Sequence, residues 1–452
     1  MIVSDYTALI SEFSWNGGYG QEPSGQPVFL SYSFADRFLA ESDLSFIENP
    51  SFFRPLNAVE QQAFRTALDQ WASVSGIVLL QAPAGLGDIE VGVYDLSANI
   101  AGLAYYALPS FFYDNGEATL FNTNLKIEAL AGNVYLDGSL GLDLHVMLHE
   151  IGHALGLAHT HDGARILTPD LDRGFNTVMG YNEPRLGTLG PFDEQAIQAL
   201  YGGPDQDGTH VQSWSWNAAS ATLTQVGTGA SEIITGIAAH DIVYGGGGDD
   251  LIATRGGNDT IYLVGSNGQI SAGSGLDILV VTFDSAQLSD TFSSGSGDDR
   301  YLLISDGGVI AAFSVERVAF TDRTLAYDID GVAGQVYRLY QAAFARTPDD
   351  GGLAYWIDQA DQGLGLIEIG AGFMASREFV VLYQNALTTS DFVNQLYNNI
   401  LGRDGDEGGL SFWSGALETG VMDEATVLTG FSESPENIAR VAPDISDGIW
   451  YA

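Results

Sequence analysis

From Gly227 the sequence returns every nine residues to one pattern. Glu232, Asp241, Asp250, Asp259, Gly268 and Asp277 hold one phase, and Ile234, Val243, Ile252, Ile261, Ile270 and Leu279 hold the position two residues later. Gly245-Gly246-Gly-Gly248-Asp-Asp250-Leu-Ile is the fullest unit; Arg255-Gly-Gly257-Asn-Asp259-Thr-Ile and Gly273-Ser-Gly275-Leu-Asp277-Ile-Leu match it in part. Each unit reads as a glycine turn followed by a short strand, with the branched residue pointing inward. That periodicity of branched apolar residues argues against a disordered acidic linker. The period weakens at Gly268 and fails after Val281, and Gly295-Ser-Gly-Asp-Asp299 is out of phase, so an ion there is a separate site.

The units resemble the RTX repeat, G-G-x-G-x-D-x-U-x. The resemblance implies a parallel β-roll that holds several Ca2+ ions. Turns alternate sides in such a roll, so turns 18 residues apart stack and Asp241, Asp259 and Asp277 form a column. Asp250 has weaker neighbours in Glu232 and Gly268. Stacked carboxylates repel one another, and a hard cation with oxygen ligands relieves the repulsion. The candidate calcium residues are Asp241, Gly245, Gly246, Gly248, Asp250, Gly257, Asp259, Gly275 and Asp277. Residues 283–330 read as mixed strands closing the roll.

A second motif carries chemistry. Five of the seven histidines lie between His145 and His161, in a segment that reads His149-Glu150-Ile-Gly-His153-Ala-Leu-Gly156-Leu-Ala-His159. Asp143 and the residues after it look like a helix start with an acidic first turn. On a helix, positions i and i+4 share a face, so His149 and His153 point at one ion, and Glu150 beside them reaches a water rather than the metal. His159, six residues after His153, would sit roughly 240° round a continued helix. The chain must therefore leave the helix, and Gly156 permits this because glycine takes positive φ without steric cost. Three neutral imidazoles leave a fourth zinc position open, the mark of a catalytic rather than a structural site. His145 reads as a second layer behind the ligands or as plain surface, and His161 as solvated.

The pattern H-E-x-x-H-x-x-G-x-x-H is similar to the extended zinc signature of the metzincin metallopeptidases. Asn176-Thr-Val-Met179-Gly-Tyr181 resembles their Met-turn, which implies that Met179 packs beneath the ligands. Tyr181 matches the position where serralysins and astacins carry a tyrosine. That match implies a hydroxyl that approaches the single catalytic Zn2+ and swings towards the oxyanion during turnover. Serralysin resemblance extends over the first part of the chain: Val28–Phe34 as first strand, Asn57-Ala-Val-Glu60 as a capping box before a helix with Phe64, Ala67, Leu68 and Trp71 on one face, Asp88–Tyr94 as a strand, and Gly190–Gly202 as the last helix. Ala101–Pro109 resembles the substrate-binding edge strand, with Ala104, Tyr105 and Tyr106 as candidate contacts for an extended peptide.

Composition constrains the partners. The 452 residues include 16 basic and 58 acidic side chains, a net charge of −42, and Lys126 is the only lysine. This balance argues against nucleic acid or anionic membranes and favours cationic partners such as calcium. Without cysteine, neither a disulfide nor an inhibitory thiolate on zinc is available. Met1-Ile-Val-Ser-Asp-Tyr lacks the basic and apolar regions of a secretory signal, and no run of about 18 apolar residues suggests a membrane span. RTX proteins typically leave the cell by type I secretion through an uncleaved C-terminal address. The ending Asp444-Ile-Ser-Asp447-Gly-Ile-Trp-Tyr-Ala452 has the expected acidic then apolar character. On this expectation the protein is secreted and extracellular, and calcium folds the roll outside the cell.

Beyond residue 331 helical patterns repeat with an offset of 57: Val336–Tyr340 with Val393–Tyr397, Arg346 with Arg403, Asp350–Leu353 with Glu407–Leu410, and Tyr355-Trp356 with Phe412-Trp413. The segment resembles a helical domain of unknown function from secreted RTX and surface-layer-like proteins. Either the aromatics form the core of a helical pair, or the module binds a glycan, a surface-layer protein or another copy of itself. The acidic turns at Asp349 and Asp406 weakly resemble ion-binding loops.

The expected fold class is α+β multidomain: a metzincin-type catalytic domain with a twisted mixed sheet and helices (1–205), a parallel β-roll with closing strands (206–330), and a C-terminal all-α domain with the secretion signal (331–452). The expected function is a secreted zinc endopeptidase of extended polypeptides, with Glu150 as general base. Two rivals stand beside it: a calcium-dependent surface or adhesive protein with an inactive peptidase scaffold, and a processing protease dedicated to a surface-layer protein.

Overall fold

The computed structural model describes residues 1–11, 13–16, 18–19, 24–39, 47–49, 51–97, 100–106, 132–138, 142–265, 267–293, 300–304, 307–386 and 388–452. The chain divides into two compact units, one of Met1–Val280 with Leu288–Val315 and one of Val281–Gln287 with Glu316–Ala452. The boundary expected at 205/206 lies inside the first unit, and the one expected at 330/331 lies inside the second.

The first unit begins with a mixed sheet. Its strands run in the order Ile77–Gln81, Val28–Phe34, Ile89–Tyr94, Gly132–Asp137 and Gly102–Tyr106. The first four are parallel to their neighbours, and Gly102–Tyr106 closes one side antiparallel to Gly132–Asp137. The central strand Ile89–Tyr94 is buried throughout, as a parallel strand covered on both faces must be. Helix Ala58–Ser73 starts on the capping box, with the Asn57 side chain accepting from Val59 and Glu60 N–H and the Glu60 carboxylate accepting from Asn57 N–H. It buries Phe64, Ala67, Leu68 and Trp71, the stripe its 3.6-residue period sets. The Trp71 indole donates to Leu148 O at 3.1 Å and so fixes this helix to helix Leu144–Ala154. A buried tryptophan of this kind is worth about 3–5 kcal/mol.

After helix Pro191–Tyr201, the chain alternates between two sheets with an 18-residue register. Thr222–Val226, His240–Tyr244, Thr260–Leu263 and Ile278–Val281 line one sheet; Ile233–Thr235, Asp250–Ala253 and Gly268–Ser271 line the other. Val243, Ile261 and Leu279 from one sheet and Ile234, Ile252 and Ile270 from the other are all fully buried. Val309–Phe313 continues the second sheet in parallel, and Arg300–Ile304 then pairs with it antiparallel. Gly295–Asp299 lies outside the described residues.

In the second unit, strands Arg317–Ala319 and Thr324–Ala326 form a hairpin, and Ile449–Tyr451 adds antiparallel to it. The helices between them include Val332–Phe344, Asp350–Asp361, Leu366–Met374, Thr389–Leu396, Glu407–Glu418, Glu424–Ser432 and Pro435–Ile445. The all-α expectation therefore needs correction: residues after 445 return to a strand, because Ile449 is buried and its backbone finds ladder partners in Thr324–Ala326. Arg317, 2% exposed, is held by Asp328 at 3.1 Å and by Asp361.

The helical repeat is visible in matching side-chain clusters. Arg346 lies over the Tyr340 ring and binds Glu378, while Tyr340 OH donates to Asp349 at 2.6 Å. Arg403 lies over the Tyr397 ring and binds Glu436 at 2.8 Å. Asp349 and Asp406 accept the Gly352 and Gly409 N–H groups as helix N-caps. These acidic turns are thus engaged as caps and arginine partners, not arranged as ion-binding loops. Trp356 and Trp413 pack on Phe373 and Phe431, whereas their neighbours Tyr355 and Phe412 are 56% and 58% exposed.

Candidate metal centre

Helix Leu144–Ala154 begins on Asp143, whose carboxylate accepts Val146 N–H at 2.8 Å. It carries His149 and His153 one turn apart on one face. At Gly156 the backbone turns to φ +95°, and the chain leaves the helix as its sequence requires. A Cβ there would stand 2.5 Å from Phe13 O, so glycine also admits a neighbouring backbone. His159 then returns to the helix face. The three Nε2 atoms lie 3.0, 3.1 and 3.2 Å from one another.

Each ring is fixed from behind. His149 Nδ1 donates to Val178 O at 2.7 Å, His153 Nδ1 to Leu157 O at 2.7 Å, and His159 Nδ1 to the Asp162 carboxylate at 2.6 Å. With every Nδ1 carrying its proton, three Nε2 lone pairs converge with no hydrogen between them. Only a cation reconciles that arrangement. Tetrahedral zinc with bonds of about 2.0–2.1 Å spaces its nitrogens about 3.3 Å apart, so the donor set fits zinc. Burial, then the neighbouring imidazoles, holds His149 well below the usual histidine range and His153 at about 4, which keeps the rings neutral and ready to ligate. Among the described residues, the groups able to hold a metal are this triad and His159 with His161 and Asp162.

Met179 is fully buried, and Gly152 leaves it room, since a Cβ at 152 would come within 2.5 Å of Sδ. The turn around Met179 is held by Asp193, whose buried carboxylate accepts from Val178 N–H, Gly190 N–H and Thr177 Oγ1 at 2.9, 2.8 and 2.6 Å. Tyr181 is 59% exposed and brings its hydroxyl to 2.8 Å from His159 Nε2. Glu150 is 5% exposed; burial pushes its carboxyl up to about 8, against the pull of a hydrogen bond from Ala104 N–H. Gly102 makes this approach possible, because a Cβ there would meet the Glu150 side chain at 2.6 Å. Ala104 thus sits on the strand beside the base; nothing is described of the Tyr105 and Tyr106 side chains, and Ala107–Pro109 falls outside the described residues.

These groups line a cleft of about 690 Å³ that also includes His145, Asp162 and Arg185. His145 is not a surface residue: it is 9% exposed, and Nδ1 bonds Leu186 O at 3.0 Å. His161 is half exposed and stacks on the His159 ring. Sequence reasoning missed the segment before residue 16. Ala158 N–H donates to Leu9 O at 2.8 Å, Ser11 N–H to Gly156 O at 3.3 Å, and the Trp15 indole to Ala154 O at 2.8 Å. Leu9, Phe13 and Trp15 are buried in the same core as the zinc-site helix. The stretch that delivers His159 is therefore clamped by Leu9, Ser11 and Trp15. Asp162 acts on the same ligand, and Asp162→Ala should weaken zinc binding by about 10–100-fold, read by competition with a chromogenic chelator; unchanged affinity would show that His159 needs no such partner.

In the repeat region the expected residues fall where the 18-residue register puts them. Asp241 N–H donates to Asp259 Oδ1 at 2.8 Å, Asp259 N–H to Asp277 Oδ1 at 2.9 Å, and Glu232 N–H to Asp250 Oδ1 at 3.0 Å. The second oxygens of Asp250 and Asp259 are buried and meet no hydrogen-bond donor. Burial, then neighbouring aspartates, drives the Asp259 carboxyl well above its usual range. Gly246, Gly248, Gly257 and Gly275 have positive φ. Cβ atoms at Gly248, Gly257 and Gly275 would lie 2.5, 2.2 and 1.8 Å from the backbone of the adjacent turn, while Gly245 N–H bonds Tyr262 O.

Comparison with known proteins agrees with this geometry. Residues 113–202 match the matrixin family model, and residues 333–383 and 370–441 match a domain of unknown function (DUF4214). Serralysin G of Dickeya chrysanthemi is 30% identical over 212 residues, 42% of this chain and 42% of that protein. Human matrix metalloproteinase-16 is 27% identical over 157 residues, 32% of this chain and 24% of its own length. Human matrix metalloproteinase-20 is 28% identical over 156 residues, 32% of this chain and 29% of its own. The chain thus spans less than half the length of these relatives. No helix among the described residues is long and apolar enough to cross a membrane.

Proposed function

This chain carries a metzincin metallopeptidase domain, and we propose that it is a secreted zinc endopeptidase that cleaves extended polypeptides. The observation that carries the reading is the convergence of three unprotonated Nε2 atoms beside a buried carboxylate in an open cleft. Bound to the triad, zinc supplies a Lewis acid and lowers the pKa of water towards about 7. His149, His153 and His159 hold the metal, each oriented by the acceptor behind it. Strand Gly102–Tyr106 presents a backbone edge along which a substrate strand can pair. Glu150 takes the proton of the attacking water and returns it to the leaving amine. Tyr181, at the rim of the site, donates a hydrogen bond from its O–H to the oxyanion.

The roll is read as an RTX module that binds calcium between its stacked turns. Asp250 and Asp259 each accept one backbone N–H and keep a second buried oxygen without a donor, which supports this, since such an oxygen favours a nearby cation. Type I secretion follows from the same reading: unfolded without calcium, the repeat suits export, and calcium outside folds it. The exposed, repeated Tyr355 and Phe412 favour a further holding role for the helical unit, towards a glycan or a surface-layer protein.

A casein zymogram tests the reading. Clearing should appear with zinc and calcium, vanish with 1,10-phenanthroline and return on adding zinc. A protein that binds zinc yet clears neither casein nor a panel of unrelated proteins would instead be an inactive scaffold or a single-substrate protease.

A further inference from the structure

One wall of the zinc cleft carries a charge that the hydrolytic chemistry leaves unused. Among the described residues that line the cleft, Arg185 is the only arginine or lysine, in a chain with 58 acidic side chains against 16 basic ones. The two carboxylates of the cleft are already engaged, Glu150 by Ala104 N–H and Asp162 by the His159 ring at 2.6 Å. The Arg185 guanidinium is not. Among the described residues the one carboxylate within 4 Å is Glu183, whose Oε1 stays 3.9 Å from Nε while Oε2 accepts the Arg185 backbone N–H at 2.9 Å. That pair is exposed and too long for a hydrogen bond, so the donors of the guanidinium are free for a ligand.

The wall that presents Arg185 is anchored on both sides. Before it, Tyr181 meets His159 Nε2 at 2.8 Å and the Asn182 side chain donates to Asp172 at 2.7 Å. After it, Leu186 O bonds His145 Nδ1 at 3.0 Å and Gly187 O accepts from the Gln70 side chain at 3.1 Å. His145 stands one turn before His149 on the zinc helix, with ring centroids 6.5 Å apart. The wall beside Arg185 therefore runs about one helical turn, about 5.4 Å, from the first zinc ligand. An extended peptide rises about 3.3 Å per residue, so that offset is one or two residues of substrate. A peptide paired with strand Gly102–Tyr106 also sends alternate side chains to the face where the zinc helix lies, the face on which Glu150 approaches Gly102. A side chain on that face enters the cleft between His145 and Arg185.

We propose that Arg185 makes this cleft select substrates with a carboxylate side chain, aspartate or glutamate, one or two residues from the scissile bond. The inference deepens the peptidase reading and rests on it. A guanidinium offers two parallel N–H donors that both oxygens of a carboxylate accept, whereas the amide of glutamine sets one of its own N–H groups against them.

The test digests a random-sequence peptide library with the full chain in zinc and calcium, and mass spectrometry reads the residues around each cut. Aspartate and glutamate should be enriched at one position, one or two residues from the cut. Paired peptides that differ there only as glutamate against glutamine should differ about tenfold in kcat/KM. Arg185→Glu, at a half-exposed position where a substitution costs little stability, should bind zinc as wild type does and move the preference at that position to lysine and arginine. Cuts without acidic enrichment overturn the proposal and leave the peptidase reading standing. So does an enrichment that survives Arg185→Glu, since the selection then lies elsewhere in the cleft. A wild-type chain that binds zinc and cuts no peptide removes the parent reading as well.

Discussion

Glu150→Gln lowers kcat/KM for a peptide substrate by about 10²–10⁴-fold while zinc stays bound at the wild-type ratio. Both halves follow from position. Glu150 is not one of the three groups whose nitrogens converge, so metal content does not depend on it. Its carboxyl borders the cleft, and an amide of the same shape keeps an acceptor for Ala104 N–H but cannot take a proton. Without metal the same substitution should leave stability unchanged or raise it. A carboxyl raised from 4.5 to about 8 stabilises the metal-free fold at acid pH, and that contribution is lost as pH rises between those values. The glutamine variant should lack this decline. Paired assays of peptide cleavage, zinc content and metal-free melting decide the matter; wild-type cleavage by the variant removes Glu150 as the base.

Gly156→Val should weaken zinc binding by at least roughly a hundredfold. A β-branched residue at φ +95° carries about 1–3 kcal/mol of backbone strain, and contact with Phe13 O adds about 1–3 kcal/mol of overpacking. The turn must shift, and His159 moves with it while His149 and His153 stay on the helix. About 2.7 kcal/mol is already a hundredfold in affinity. Chelator competition, with circular dichroism to check folding, gives the answer. Wild-type affinity would mean that the third ligand does not depend on this turn.

Much of the site was legible because local geometry dictates it. An i, i+4 histidine pair needs only a helix, and a third histidine six residues on needs only a break, which glycine marks. The 18-residue strand register was legible for the same reason: a nine-residue period fixes which residues stack. The clamp of Leu9, Ser11 and Trp15 left no such trace. Its contacts to Gly156 and Ala158 are isolated backbone bonds without periodicity, and Phe13 and Trp15 read as ordinary apolar residues. The buried ion pair of Arg255 and Asp88, 2.8 Å across, also left no trace, since nothing in the sequence ties the two residues together. In the helical unit Arg346 and Arg403 stand out at equal spacing. Their partners Glu378 and Glu436 lie one residue further apart, because the turn before Asp423 is longer by one residue than the turn before Gly365.

The clamp on the His159 turn also orders events during synthesis. Leu9 and Ser11 are made well before Gly156 and Ala158, and must wait for the histidine turn to emerge before either side finds its partner. The third histidine therefore takes its place only when parts of the polypeptide far apart in sequence meet, and a chain not yet made as far as Ala158 has no finished metal site.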